Sequence, residues 1–289
     1  MVLKSGLDTL YSEFNAEHSV ADPVWMVRRF KRPDDREVVG FIAAALAFGR
    51  VQSVLNSIEG MLAVMGASPA AFVRDFDPSR QRGAFTHLVH RWTKGADFAA
   101  LVWILHQMIE SSGSIEGFFA AGLAADAIDV GEALQSFSTR AMALDVAAVY
   151  GRKRPKPGVA YFFSRPSSGG ACKRLNLFLR WMVRKDAVDV GAWSRVRPGQ
   201  LIVPLDTHVI RVGQCLRLTT LKSPGWRMAA DITASLRDID PVDPIRFDFS
   251  ICHLGMMNAC GFGKKTGDAN CPLKGACHPG GGTPRATNT

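Results

Sequence analysis

Residues 201–213 read LIVPLDTHVIRVG. An apolar run, Leu201 to Leu205, meets the first turn of a helix at Asp206, and the helical spacing continues through the residues that follow. Pro204 sits just before that boundary, where a helix entry favours it. Two readings of Asp206 are open. Asp is a favoured N-cap because its carboxylate accepts the N2 or N3 amide. The same place also suits a fixed catalytic carboxylate.

Upstream lies SRPSSGGACKRLNLFLRWMVRKD, residues 164–186. Ser167-Ser168-Gly169-Gly170 is turn chemistry, and a helix is predicted from about Ala171. Leu175, Phe178, Leu179 and Met182 make its apolar face, and Lys173, Arg180 and Arg184 fall towards the other side. A Gly-rich turn entering a helix leaves backbone N–H groups unpaired and outward, which suits a phosphate. Ser168, Gly169 and Gly170 are the candidates, although such turns are also common as plain structure. Taken alone, Lys173 reads as one solvated cation on a basic face.

Away from this segment the apolar period is helical. VVGFIAAALAFGRVQSVLNSIEGMLAVMG (38–66) predicts two helices meeting near Phe48-Gly49-Arg50, and 97–110 and 131–149 predict further amphipathic helices. Strand-like alternation is scarce and no Asn-Gly or Asp-Gly hairpin stands out, so the expected fold is all-α. GRKRPKPG (151–158) is basic, carries two prolines and reads as a connector, or as a phosphate contact. The expected organisation is an N-terminal helical region (1–150), a hairpin and catalytic region (151–258), a cysteine loop (259–278) and a disordered tail (279–289).

With 289 residues, 47% of them hydrophobic, the chain can bury a sizeable core. Its 35 Lys and Arg against 26 Asp and Glu give a net charge of +9, which favours a polyanionic partner; a basic membrane-surface protein is the competing class. FIAAALAF (41–48) and FAALVWIL (98–105) are far too short to span a bilayer, and no secretory signal is visible. A cytoplasmic location follows as the expectation, with the six Cys as thiols or metal ligands rather than disulfides.

Together these residues resemble the helix-hairpin-helix DNA glycosylase superfamily. The resemblance rests on a Gly-containing turn, Lys173 at the start of the next helix, and Pro204-Leu205-Asp206-Thr207-His208, followed by Val209 and Arg211 as in the endonuclease III branch. It is strongest over 165–260 and weaker over FIAAALAFGRVQSVLNSIEGM, which is similar to the superfamily's early helix pair. The whole chain looks closest to a bacterial branch carrying ACKRLNLFLRWMVRK followed by PLDTHV. Two features depart from the pattern. The usual Leu-Pro-Gly-Val-Gly-x-Lys hairpin is replaced by Ser-Ser-Gly-Gly-Ala-Cys-Lys, and KDAVDVGAWSRVRPGQ (185–200) lengthens the Lys-to-Asp interval to 33 positions. Archaeal 8-oxoguanine glycosylases have a similarly long interval.

The resemblance implies a two-lobed fold with a DNA cleft and removal of a damaged base from double-stranded DNA, with 8-oxoguanine as the first expectation. Asp206 would stabilise positive charge on the deoxyribose or position a nucleophile. Lys173, if desolvation or a neighbouring cation such as Arg174 frees its amine, would attack C1′, form a Schiff base and permit β-elimination. Ser168, Gly169, Gly170, Arg174 and His208 would hold DNA. The target base must leave the duplex for a pocket. Trp181, Trp193, Phe178 and Trp226 are candidates to line it, or simply core. The expected species is a nucleoid-associated monomer. Two rival readings stay open: a DNA-binding or damage-sensing module without catalysis, and a group transferase acting on a base.

The C-terminal stretch ICHLGMMNACGFGKKTGDANCPLKGACHPG places Cys260, Cys271 and Cys277 in a polar segment. Cys271–Cys277 has the C-x5-C interval that closes the iron–sulfur loop of endonuclease III-like glycosylases, but Asp268 stands where that loop has a further Cys. A [4Fe–4S] cluster normally takes four thiolates. The fourth ligand would be Asp268, Cys252 or His278; a three-thiolate site, a lost site, and tetrahedral zinc are the alternatives. Cys172 and Cys215 fall in helical patterns and read as structural thiols.

Overall fold

The computed structural model describes residues 2–14, 16–20, 22–256, 271 and 273–277. Helix is its main element, 60% of the chain, with almost no strand. The helices are α1 (Val2–Glu13), α2 (Val24–Arg28), α3 (Pro33–Ala45), α4 (Val51–Met65), α5 (Pro69–Arg74) and α6 (Pro78–Gln81), then α7 (Gly95–Ser112) and α8 (Ile115–Ala120). They continue as α9 (Gly131–Ala143), α10 (Ala147–Tyr150), α11 (Pro157–Ala160), α12 (Lys173–Val183), α13 (Thr207–Cys215), α14 (Trp226–Ile239) and α15 (Asp248–Met256). No helix among the described residues is long and apolar enough to cross a membrane.

The predicted pair over 38–66 is α3 and α4, broken at Gly49, whose φ of 106° only glycine takes readily. Pro33 opens α3, and Asp34 and Asp35 in its first turn oppose the helix dipole. The predicted 97–110 helix is α7, closed by Gly113 at φ 79°. The stretch 131–149 divides into α9 and α10, because Leu144 turns extended and the Asp145 carboxylate accepts the Ala147 amide in a turn ahead of α10. One unexpected hairpin pairs β1 (Val89–His90) with β2 (Thr93–Lys94). Its turn places Arg91, rather than Gly or Asn, at φ 55°, so it left no turn signal in the sequence.

Among the described residues, buried apolar side chains form one cluster from Leu7 to Leu273. α12 lies against α3, and α13 against α15. Both contacts are close because a glycine stands in each. A Cβ on Gly40 would come 2.7 Å from Met182 Cε, and one on Gly255 would come 2.6 Å from His208 Cβ.

The basic face expected on α12 is corrected by the structure. Arg180 and Arg184 are each only 3% exposed. Arg180 Nε bonds Asp189 Oδ1 at 3.2 Å and its Nη1 bonds Asp248; Arg184 bonds Asp189, Asp186 at 2.8 Å and Asp243 at 2.9 Å. Asp186 and Asp189 come from the 185–200 insertion, which therefore closes over the second half of α12. Buried guanidinium groups are tolerated only when paired in this way.

Candidate active site

The extended run 201–205 is fully buried, and its Val203 amide donates to Thr233 Oγ1 at 3.0 Å on α14. That anchoring delivers Asp206 to the N-cap of α13. Its Oδ1 accepts the amides of His208 and Val209, both at 2.8 Å. The cap reading is realised on this one oxygen, which leaves the other for different partners. Oδ2 faces the other way, 3.6 Å from Lys173 Nζ and 3.1 Å from Cys252 Sγ, which donates to it. Lys173 is the first residue of α12 and its side chain is 41% exposed, against 14% for Asp206.

These groups open on a cavity of about 180 Å³, walled also by Arg180, Asp248, His253 and Pro204. It is smaller than the roughly 300–1,000 Å³ of clefts that take drug-sized ligands. A larger open groove of about 540 Å³ runs between α9 and the 166–167 turn, but neither Lys173 nor Asp206 lines it.

The electrostatics of the cavity are set by burial. Burial pushes the Asp248 carboxyl up to about 6, against the pull of Arg180, and the Asp206 charge pushes the same way. Burial, then the Asp206 carboxylate, raises the Cys252 thiol well above its ordinary range, so it is a hydrogen-bond donor and not a thiolate. His253 is lowered by burial; its Nδ1 lies 2.9 Å from the Phe249 carbonyl, and its ring packs 3.9 Å from the Phe249 ring.

The remaining expected residues fall in several places. Ser168, Gly169 and Gly170 form an exposed turn beside α12, with Gly169 at φ 79°. The helix before this turn is only the four-residue α11, followed by a 3-10 turn over Pro166–Ser168. The Gly169 carbonyl caps α14 by accepting the Trp226 amide at 3.0 Å. Arg174 points inward: it donates to the carbonyls of Ala45 (3.2 Å) and Tyr161 and stacks 3.6 Å over the Tyr161 ring. Burial lowers it to about 10, and its donors go to protein carbonyls instead of to a phosphate or to Lys173. His208 turns its Nδ1 into the α13–α15 interface, where it is buried without a hydrogen-bond partner among the described residues.

Phe178, Trp181 and Trp193 are core, and Trp193 Nε1 donates to the buried Glu37 at 2.8 Å. Trp226 lines the 540 Å³ groove. Of the expected metal ligands, Cys260 and Asp268 lie outside the described residues, as does His278. Cys271 is buried and Cys277 half-buried against the core, joined by a tight turn in which the Cys277 amide donates to the Leu273 carbonyl. Among the described residues no three His, Cys, Asp or Glu side chains group as a metal site. Cys252, weighed in the sequence as a cluster ligand, donates to Asp206. Arg180 and Asp248 were not expected at the site at all.

The family model described as "Protein of unknown function (DUF2400)" matches residues 22–257. The chain belongs to this DUF2400 family. No curated protein and no solved structure matches it. Every residue that walls the cavity, from Asp22 to Met256, lies inside the span matched to DUF2400.

Proposed function

We propose that this protein is a DNA glycosylase with abasic-site lyase activity, built on a helix-hairpin-helix glycosylase fold. The observation that carries the reading is the pairing of Lys173 Nζ with Asp206 Oδ2 at 3.6 Å on the wall of a cavity of about 180 Å³. An amine and a carboxylate so placed supply both halves of N-glycosidic cleavage. Asp206, held by two backbone amides and the Cys252 thiol, keeps its orientation without reorganising and faces the charge that develops on the deoxyribose. Its Oδ2 is also in ion-pair reach of Lys173 and is placed to take the proton the amine must lose before attack.

The neutral amine then gives its lone pair to C1′. The C1′–N bond breaks towards the base, which leaves with the electron pair and takes up a proton. The product is an N-glycosyl adduct on Lys173; its nitrogen loses a proton, C1′–O4′ then breaks with the electron pair and a proton going to O4′, and the opened sugar is an iminium on Lys173. Loss of a 2′ proton expels the 3′ phosphate, and water returns the free amine. The exposed Ser168-Gly169-Gly170 turn ahead of α12, whose first turn has no side-chain cap, supports a backbone phosphate contact. The net charge of +9 supports duplex DNA as partner and the nucleoid as location.

The same reading includes a [4Fe–4S] cluster held by Cys260, Cys271 and Cys277 with a fourth ligand. The turn that sets Cys271 and Cys277 against the core supports it, and its role would be to fix the C-terminal segment, not to take part in a step.

The test is borohydride trapping on duplexes that carry 8-oxoguanine or an abasic site. Wild type is expected to form a covalent adduct and release the base; Lys173→Ala forms no adduct, and Asp206→Asn loses at least about a hundredfold in rate. Wild type that neither traps nor excises on any such duplex overturns the reading and leaves a non-catalytic DNA-binding module.

A further inference from the structure

The net charge of +9 is not spread evenly along the chain. Segments 82–94 and 151–170 hold eight of the 35 Lys and Arg and none of the 26 Asp and Glu, which leaves 27 against 26 in the rest. Arg82, Arg91 and Lys94 come from the first segment. Arg152, Lys153, Arg154, Lys156 and Arg165 come from the second, and all eight are exposed. None of them forms an ion pair among the described residues, whereas other exposed arginines do, such as Arg29 with Glu59 and Arg32 with Asp34 at 2.9 Å. Unpaired cations gathered on one face repel one another and favour an anionic partner.

The fold joins the two segments. α11 packs on β2, and the Trp92 and Tyr161 rings meet edge to face at 4.9 Å. Phe48 lies 5.1 Å from each of these rings, and the Arg174 guanidinium lies 3.6 Å from the centre of the Tyr161 ring. Trp92 is thus braced by neighbouring rings while 52% of its surface meets solvent. His90 holds the hairpin in place, with Nδ1 2.9 Å from Ser57 Oγ and Nε2 3.0 Å from the Phe48 carbonyl oxygen. The hairpin stands at the rim of the Lys173–Asp206 cavity: Gly49 lines that cavity, and a Cβ on Gly49 would come 3.2 Å from Arg91 Nε.

We infer that this face binds DNA at a site of unpaired bases, the eight cations contacting backbone phosphates and Trp92 stacking on an unpaired base beside the cavity. It rests on the reading above only for the DNA partner and uses none of its chemistry. Cations set around an exposed ring match a nucleic-acid strand, because every nucleotide carries a phosphate to neutralise and every base a flat face to stack. In a paired duplex both faces of a base are already stacked, so the ring favours sites where pairing is lost. An anionic membrane would also satisfy the cations, but surface binding to lipid draws on an amphipathic helix with a broad apolar face. Here the exposed Trp92 stands on a hairpin at a cavity rim.

The experiment measures binding of the full-length protein to a labelled duplex, either fully paired or carrying an internal loop of unpaired thymines, over a salt series. Wild type is expected to bind the looped duplex at least about fivefold more tightly. Trp92→Ala should lose that preference while holding the paired duplex within about twofold of wild type, and Trp92→Phe should keep most of it. Arg152→Gln, Lys153→Gln, Arg154→Gln and Lys156→Gln combined should weaken both complexes and reduce the slope of log affinity against log salt by at least about two. Urea unfolding confirms that each variant is folded. Equal affinity of wild type for the two duplexes overturns the inference, as does a loop preference that survives Trp92→Ala or a salt slope that survives the combined variant. Wild type that binds neither duplex but binds phosphatidylserine vesicles overturns it in favour of a membrane. Loop-selective binding without borohydride trapping leaves the inference standing and removes only the glycosylase reading; trapping without loop-selective binding does the reverse.

Discussion

Asp206 does two jobs because a carboxylate has two oxygens with separable partners. Oδ1 ends the first turn of α13, and Oδ2 is left for Cys252 and Lys173. The motif made the residue legible, but which oxygen served which purpose depended on α12 and α15. Asp248 adds a pH dependence. Its carboxyl is raised to about 6 by burial, with Asp206, Asp189 and Arg180 as its charged neighbours. A carboxyl whose folded value exceeds its ordinary 3.8 stabilises the fold most at low pH, and that contribution is lost as pH rises through about 6. Denaturant midpoints measured between pH 5 and pH 8 are expected to fall across that range, and Asp248→Asn to flatten the fall.

Among the elements, α15 decides the site, because it carries Asp248 and Cys252 and packs on the helix that Asp206 caps. Gly255 permits that contact: an added Cβ would lie 2.6 Å from His208 Cβ and 2.7 Å from its Nδ1. Gly255→Ala must push α15 away from α13. It is expected to cost about 1–3 kcal/mol of stability and to lower trapping as Cys252 moves off Asp206. Gly83→Ala, with nothing within 4 Å of its added Cβ, is the control and should change stability by less than about 0.5 kcal/mol. Urea unfolding and trapping on abasic DNA measure the pair; a Gly255→Ala protein as stable and active as the control would sink the argument. Helical periodicity could not reveal this α13–α15 pairing, because Gly255 is an unremarkable small residue in its own helix.

Across the whole molecule, the Arg180–Asp189–Arg184–Asp186–Asp243 network ties α12, the 185–200 insertion and the approach to α15 into one body, and Tyr11 of α1 joins it through Asp186 at 3.1 Å. The insertion that lengthens the Lys-to-Asp interval thus supplies the acids that bury two arginines and steady one cavity wall. At the C-terminal end, the expected iron–sulfur cluster gives a global readout. Purified protein should be brown with broad visible absorption, and Cys271→Ser should bleach it; colourless protein carrying zinc would replace the cluster with a tetrahedral site. By itself the sequence determined the helical class, the helices that carry the site, the break at Gly49, and Asp206 with Lys173 as the residues to look for, because these are written in local period, turn residues and one short motif. Only tertiary structure decided that Arg174 turns inward, that Arg180 leaves the solvent face, and that Asp248 and Cys252 reach the cavity. The physical reason is separation along the chain. Arg180 finds Asp189 nine positions away and Asp248 68 positions away, and a cation without visible partners reads as solvated until the fold brings the acids to it.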